Sequence, residues 1–175
     1  RLDNGLRLLV TPMPYARSVS ASVYVAAGSR YEPTVAEAGL SHFLEHLCFK
    51  GTTRRPRALD ISMEIDAIGG NLNAATNREL TVYYGKVTPE YLGRTVDIIG
   101  DLLSDSLLVS EEIERERGVI LEELAAVEDS PPEHVGVVLD AMLWPDQPHG
   151  RDIAGTNESV EAMPAEAIRA YYRRQ

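Results

Sequence analysis

His42 and His46 stand four residues apart, with Glu45 between them. On a helix, at about 100° per residue, both histidines fall on one face, and Glu45 lies on the same side. Two imidazoles one turn apart can share a metal ion. A carboxylate beside them can reach a water bound to that metal. The order is HxxEH, the reverse of HExxH, and a helix presents the same triangle read in either direction. Histidine is scarce in this chain, at 4 of 175 residues, so two of them flanking a glutamate at metal spacing is not a product of composition. The plain alternative is a pair of partly buried helix histidines held by hydrogen bonds.

The helix that must carry these residues reads from Glu37 to Lys50, with Leu40, Phe43, Leu44, Leu47 and Cys48 at helical spacing and Gly51 closing it. Cys48 lies two residues from His46, so it points away from the histidine face and reads as a packed core thiol. His134 and His149 read as surface residues.

A catalytic zinc takes three protein ligands and keeps one position open, and His₂Glu is one such set. The acid-rich helix expected from an N-cap at Ser110 to about Glu128 offers Glu112, Glu114, Glu116, Glu122 and Glu123. Ile113, Ile120, Leu124 and Val127 define its core direction. Glu116 and Glu123 project together, roughly 60° off that direction, whereas Glu122 points nearly the opposite way. Glu123 can therefore face an interior metal. Glu116, two turns earlier on the same line, can orient a ligand or the water. The plain alternative makes all these acids a solvated helix face.

Ahead of the histidine helix, Asn4-Gly5 signals a turn. Leu6 to Thr11 reads as a strand ended by Pro12 and Pro14, and Ser18 to Ala26 as a second strand with Val19, Ala21, Val23 and Val25 on one face. Arg54-Arg55-Pro56-Arg57 reads as a solvated loop. Leu59 to Ile68 reads as a short helix with Ile61, Ile65 and Ile68 inward, and Gly69-Gly70 as a turn. Asn71 to Thr76 is expected to be an extended edge whose small polar residues suit a close backbone approach, followed by a strand over Leu80 to Val87. A helix is expected from Pro89 through Ser106 with Leu92, Val96, Ile99 and Leu103 as its core stripe. A loop at Pro131-Pro132, a helix over Glu133 to Leu143 and a last helix from Pro164 complete the pattern.

The 175 residues suit one domain with a real core. A net charge of -10 disfavours nucleic acid as a partner. No apolar run reaches membrane-spanning length. A single cysteine excludes an internal disulfide framework and leaves the compartment open. The chain starts at Arg1, so its native start is expected upstream. The stretch from Arg169 to Gln175 carries no helix stop signal and is expected to be cut in mid-element.

Three linked segments, His42 to Thr52, Gly70 to Glu79 with Thr81 to Tyr84, and Ile113 to Glu123, closely resemble the M16 (pitrilysin/insulinase) zinc peptidases. The nearest look is to the mitochondrial processing peptidase β subunits and their bacterial relatives. The resemblance covers nearly the whole chain. It implies an α+β fold, an antiparallel sheet packed with helices, with residues 1–175 forming an N-terminal catalytic domain truncated at its C-terminal end. It also implies zinc on His42, His46 and Glu123, Glu45 as general base and Glu116 as the supporting acid. Asn73, Ala74 and Ala75 match the edge strand that pairs with peptide substrate. Ala75 departs from the aromatic that many members carry there, which alters the neighbouring side-chain pocket. A second M16-like half is expected from a missing C-terminal region or a partner subunit. Two rivals belong to other classes. One is a non-catalytic M16-like subunit that holds peptides or supports a complex, whose kind typically loses the metal motif. The other is a structural zinc domain, which has no use for a free carboxylate beside two ligands.

Overall fold

The computed structural model describes residues 1–175. Three antiparallel strands, β1 (Val19–Val25), β2 (Asn71–Thr76) and β3 (Thr81–Val87), form a sheet in the order β1-β3-β2. Seven helices accompany it: α1 (Leu40–Cys48), α2 (Ala58–Asp66), α3 (Leu92–Ser104), α4 (Ser110–Glu128), α5 (Pro131–Leu143), α6 (Asn157–Ala162) and α7 (Ala165–Arg174). This is the expected α+β class.

Alternation in β1 puts Val19, Ala21, Val23 and Val25 half-buried and Ser20, Ser22 and Tyr24 outside, as period-two patterning requires. The register sets Val23 and Ala74 on either side of Tyr83, so all three strands contribute to one row. That row meets Phe43, Leu44, Leu47 and Cys48 of α1. Ile98, Ile99 and Leu102 of α3, Ile113, Ile120 and Leu124 of α4, and Ile168 and Tyr171 of α7 complete the core. β2 is an outer strand, as its small polar residues suggest, and α1 packs against it and against α4.

Several expectations are corrected. Leu6 to Thr11 forms no strand; its residues are exposed, Leu9 at 93%, and β-propensity without a ladder partner leaves the segment unpaired. The histidine helix starts at Leu40, three residues after a single 3₁₀ turn at Val35–Glu37. The stripe of α3 is borne out in part, since Ile99 is in the core and Leu103 packs against it. Leu92 and Val96 are exposed, whereas Thr95, Ile98, Ile99, Asp101 and Leu102 are buried. Two of those five are polar and satisfied, Thr95 by its hydroxyl bond to the Tyr91 carbonyl, so apolar spacing alone misses the first half of the buried face. Gly85 in β3 lets Thr95 approach, since a Cβ there would strike the threonine methyl. Ser110 is the first helical residue of α4, one position past the cap at Val109. Pro131 opens α5 rather than lying in a loop, because proline at the first helical position lacks only an N–H that would be unpaired anyway. α6, capped by Thr156, was not anticipated.

The basic stretch is not a solvated loop throughout. Arg55 is buried, with its guanidinium 2.5 Å from Asp101, 2.9 Å from Asp97 and 3.0 Å from Glu64. Thr52 adds a 2.6 Å bond to Asp101. Burial alone would push the Asp101 carboxyl up, but donation from Thr52, Arg54 and Arg55 outweighs it and holds the group below the ordinary carboxylate range. Arg55→Met takes from Asp101 one of its two arginine partners and is expected to destabilise the fold by about 1.5–3 kcal/mol, the usual worth of a hydrogen bond to a charged group. Arg57→Ala, at an exposed pair, is expected to leave the denaturation midpoint unchanged. Urea midpoints of the two variants check this; equal midpoints would mean that Arg54 and Thr52 suffice to hold Asp101.

Candidate metal centre

The histidines and Glu45 hang on α1, Glu116 and Glu123 on α4 and Thr76 on the end of β2, with Lys50 just past α1 and Glu32 before it. α1 is fixed at its start by Glu32, seven residues before the cap. The two carboxylate oxygens of Glu32 accept the backbone N–H groups of Gly39 (3.0 Å) and Ser41 (2.9 Å), donors that a helix start leaves unpaired. Burial pushes Glu32 up to about 7, and the two backbone donors pull against that shift. Gly39 caps the helix with a φ of 89°, a left-handed conformation that suits glycine. Its missing side chain also lets the chain cross the Ala154 carbonyl, and Gly155 reciprocates against the Ala38 carbonyl.

On the exposed side of α1, His42 Nε2 and His46 Nε2 face each other at 3.2 Å. Glu123 Oε2, from α4, lies 3.8 Å from the first and 3.7 Å from the second. Donor atoms at about 2.0–2.1 Å from a common tetrahedral centre stand about 3.3 Å apart, so these three atoms suit a zinc ion after a shift of a few tenths of an ångström. Burial pushes the His42 imidazole down to about 4, with His46 adding to the effect. The ring is therefore neutral at neutral pH and has a lone pair to offer. Glu122 is exposed and outside this group, and Cys48 is buried in the core, as the helix phases predict.

Glu116 is buried at 3% exposure beneath the histidines, with Oε2 3.2 Å from His46 Nδ1 and Oε1 2.6 Å from Lys50 Nζ. Glu45 is half-buried beside the pair. Burial pushes its carboxyl up, while the Thr76 hydroxyl, donating to Oε2, pulls it down. Thr76, Lys50 and Glu32 are residues that sequence reasoning missed. Lys50 carries a signal only in the longer helix expected from the sequence, four residues past His46; the structure places it two residues beyond α1. Thr76 and Glu32 carry none, since both reach the site through tertiary packing.

On β2, Ala74 turns its side chain into the core, whereas Asn73 and Ala75 are exposed. The Ala74 N–H bonds Asn73 Oδ1 at 2.9 Å, so this donor is satisfied by a side chain rather than by β3. A cleft of about 460 Å³ opens beside the start of the strand, walled by Phe49, Leu59, Ile61, Ile65 and Leu72.

An antiparallel sheet packed with helices thus carries two histidines and a glutamate whose donor atoms converge on one point and could hold a metal ion. The profile of insulinase (Peptidase family M16) matches residues 7–157. The chain belongs to that family. An uncharacterized zinc protease of Streptomyces coelicolor is 42% identical over 173 residues, covering 99% of this chain and 37% of the relative. The mitochondrial-processing peptidase subunit beta of Saccharomyces cerevisiae is 40% identical over 171 residues, covering 98% of this chain and 37% of the relative. The crystal structure of pitrilysin superposes with a TM-score of 0.85 at 29% identity, covering 99% of this chain and 19% of that one. The chain thus spans well under half the length of these relatives. No helix is long and apolar enough to cross a membrane.

Proposed function

We propose that residues 1–175 are the N-terminal zinc-binding portion of a zinc endopeptidase that cleaves extended peptides or unfolded protein segments. The observation that carries this reading is the convergence of His42 Nε2, His46 Nε2 and Glu123 Oε2 beside a carboxylate, Glu45, that the ligand set does not need. His42, His46 and Glu123 would hold a zinc ion, which would supply a Lewis acid for the scissile carbonyl and an acidified water.

The chain's own groups do the rest. The peptide adds as a strand at β2, where its backbone replaces Asn73 as the partner of the Ala74 N–H. Pairing through backbone atoms gives affinity with little sequence preference. Glu45, held through Oε2 by Thr76, takes a proton from the attacking water on a carboxylate oxygen. The water oxygen bonds to the carbonyl carbon, the C–N bond breaks, and Glu45 returns the proton to the leaving nitrogen. Glu116 holds His46 from behind. A second M16-like half, from the rest of the protein or a partner subunit, closes over the peptide.

The ligand assignment separates two adjacent glutamates. Glu123→Gln is expected to weaken zinc binding more than about a hundredfold, beyond the 10–100-fold typical of outer partners. Glu122→Gln is expected to stay within about twofold of the parent protein, as surface changes commonly do. Zinc titration of both proteins against a competing chelator decides it, and equal losses would remove Glu123 from the ligand set.

A further inference from the structure

Lys50 lies two residues past the end of α1, in the bend that follows Phe49, where its backbone N–H bonds the Leu47 carbonyl at 3.0 Å. Its ammonium lies 2.6 Å from Glu116 Oε1, and Glu116 Oε2 lies 3.2 Å from His46 Nδ1. Glu116 has no other ionic partner, and it is 3% exposed. A buried carboxylate with one oxygen taken by a lysine and the other by an imidazole has a single orientation left. Removing either donor frees it to turn. The imidazole nitrogen that meets Oε2 has to donate, because a carboxylate only accepts. His46 is then protonated at Nδ1 and carries its lone pair at Nε2, the atom that faces His42 and Glu123. His42 makes the contrast. Its Nδ1 is buried with no partner, so no carboxylate backs that ring, and only the 3.2 Å approach of His46 Nε2 bears on its tautomer.

We propose that Lys50 is a positioning residue: by clamping Glu116 it locks His46 in the Nδ1–H tautomer and readies Nε2 as a metal ligand before any metal arrives. Its value to zinc binding rests on the function proposed above; the lock itself does not. A compact ammonium suits the task, since it fixes one carboxylate oxygen and leaves the other for the ring, where a forked guanidinium tends to engage both.

The test uses the full-length protein, metal-free, with ¹⁵N-labelled histidine. Long-range ¹H–¹⁵N correlation tells which ring nitrogen bears the proton, and loss of the signal in His46→Gln assigns it. The parent protein is expected to show His46 protonated at Nδ1. Lys50→Met is expected to show a mixture or the Nε2–H form and to bind zinc about tenfold more weakly or worse, the size usual for a lost outer partner. An Nε2–H ring in the parent protein overturns the proposal without any variant, so a Lys50→Met protein that fails to fold does not shield it. A Lys50→Met protein with unchanged tautomer and unchanged zinc affinity overturns it as well. A tautomer that depends on Lys50 in a protein that binds no zinc upholds the lock and overturns the zinc reading instead.

Discussion

In the full-length protein, Glu45→Gln is expected to leave zinc bound and to lower kcat for peptide cleavage by about 10²–10⁴-fold, the usual worth of a positioned general base. The expectation follows from division of labour within one helical turn. His42 and His46 spend their Nε2 atoms on each other's neighbourhood with Glu123, whereas Glu45 points to the same side and meets only the Thr76 hydroxyl. The amide of glutamine can keep that threonine contact, so the shape of the site survives. What it lacks is a proton acceptor strong enough to take a proton from water. Metal analysis and a peptide assay on the same preparation settle the matter. Substantial turnover by a zinc-loaded Glu45→Gln protein would remove Glu45 from the base role, and loss of zinc would make it a ligand.

The second large effect concerns the chain in isolation. At equal zinc occupancy, residues 1–175 alone are expected to have a kcat/KM on an unstructured peptide about a hundredfold or more below that of the full-length protein. Positioning accounts for about 7–11 kcal/mol of a typical barrier, and a hundredfold is about 2.7 kcal/mol, so losing between a quarter and two fifths of it has that size. Within this chain, β2 offers one edge for the peptide backbone, and the metal group is reached from one side. Glu123 remains 47% exposed in its side chain. Nothing here closes the opposite side or excludes water. The relatives are more than twice as long, which leaves ample chain to do so. Parallel assays of the two proteins on one peptide provide the check. Comparable values would make this piece self-sufficient and would sink the requirement for a second half.

What was legible in the sequence depended on whether a position is governed by its own helix or strand. The common face of His42, His46 and Glu45, and the separation of Glu123 from Glu122, follow from turning angles within single helices, and the structure brings His42, His46 and Glu123 together accordingly. The alternation of β1 and the outer place of β2 were legible for the same reason. Positions decided by partners distant in the chain were not. Thr95 and Asp101 are buried because Tyr91, Thr52, Arg54 and Arg55 satisfy them, which no hydrophobic pattern records. Arg55 looked like a surface charge until three carboxylates from α2 and α3 surrounded it. Leu6 to Thr11 had the composition of a strand and no strand to pair with.

The crossing of Gly39 with Gly155 has a consequence for how this centre comes into being. Each glycine admits a carbonyl from the other segment, so the start of α1 takes its final path only when both segments are present. His46 leaves the ribosome on the order of a hundred residues before Gly155, which at about 5–20 residues per second is a delay on the order of ten seconds. For most of that time the nascent chain displays its two histidines without Glu116, Glu123 or the loop that anchors their helix. An ion met early finds imidazoles and little else. On the function proposed above, the full ligand set exists only once Glu123 has emerged, and the start of its partner helix takes its final path only once Gly155 has followed.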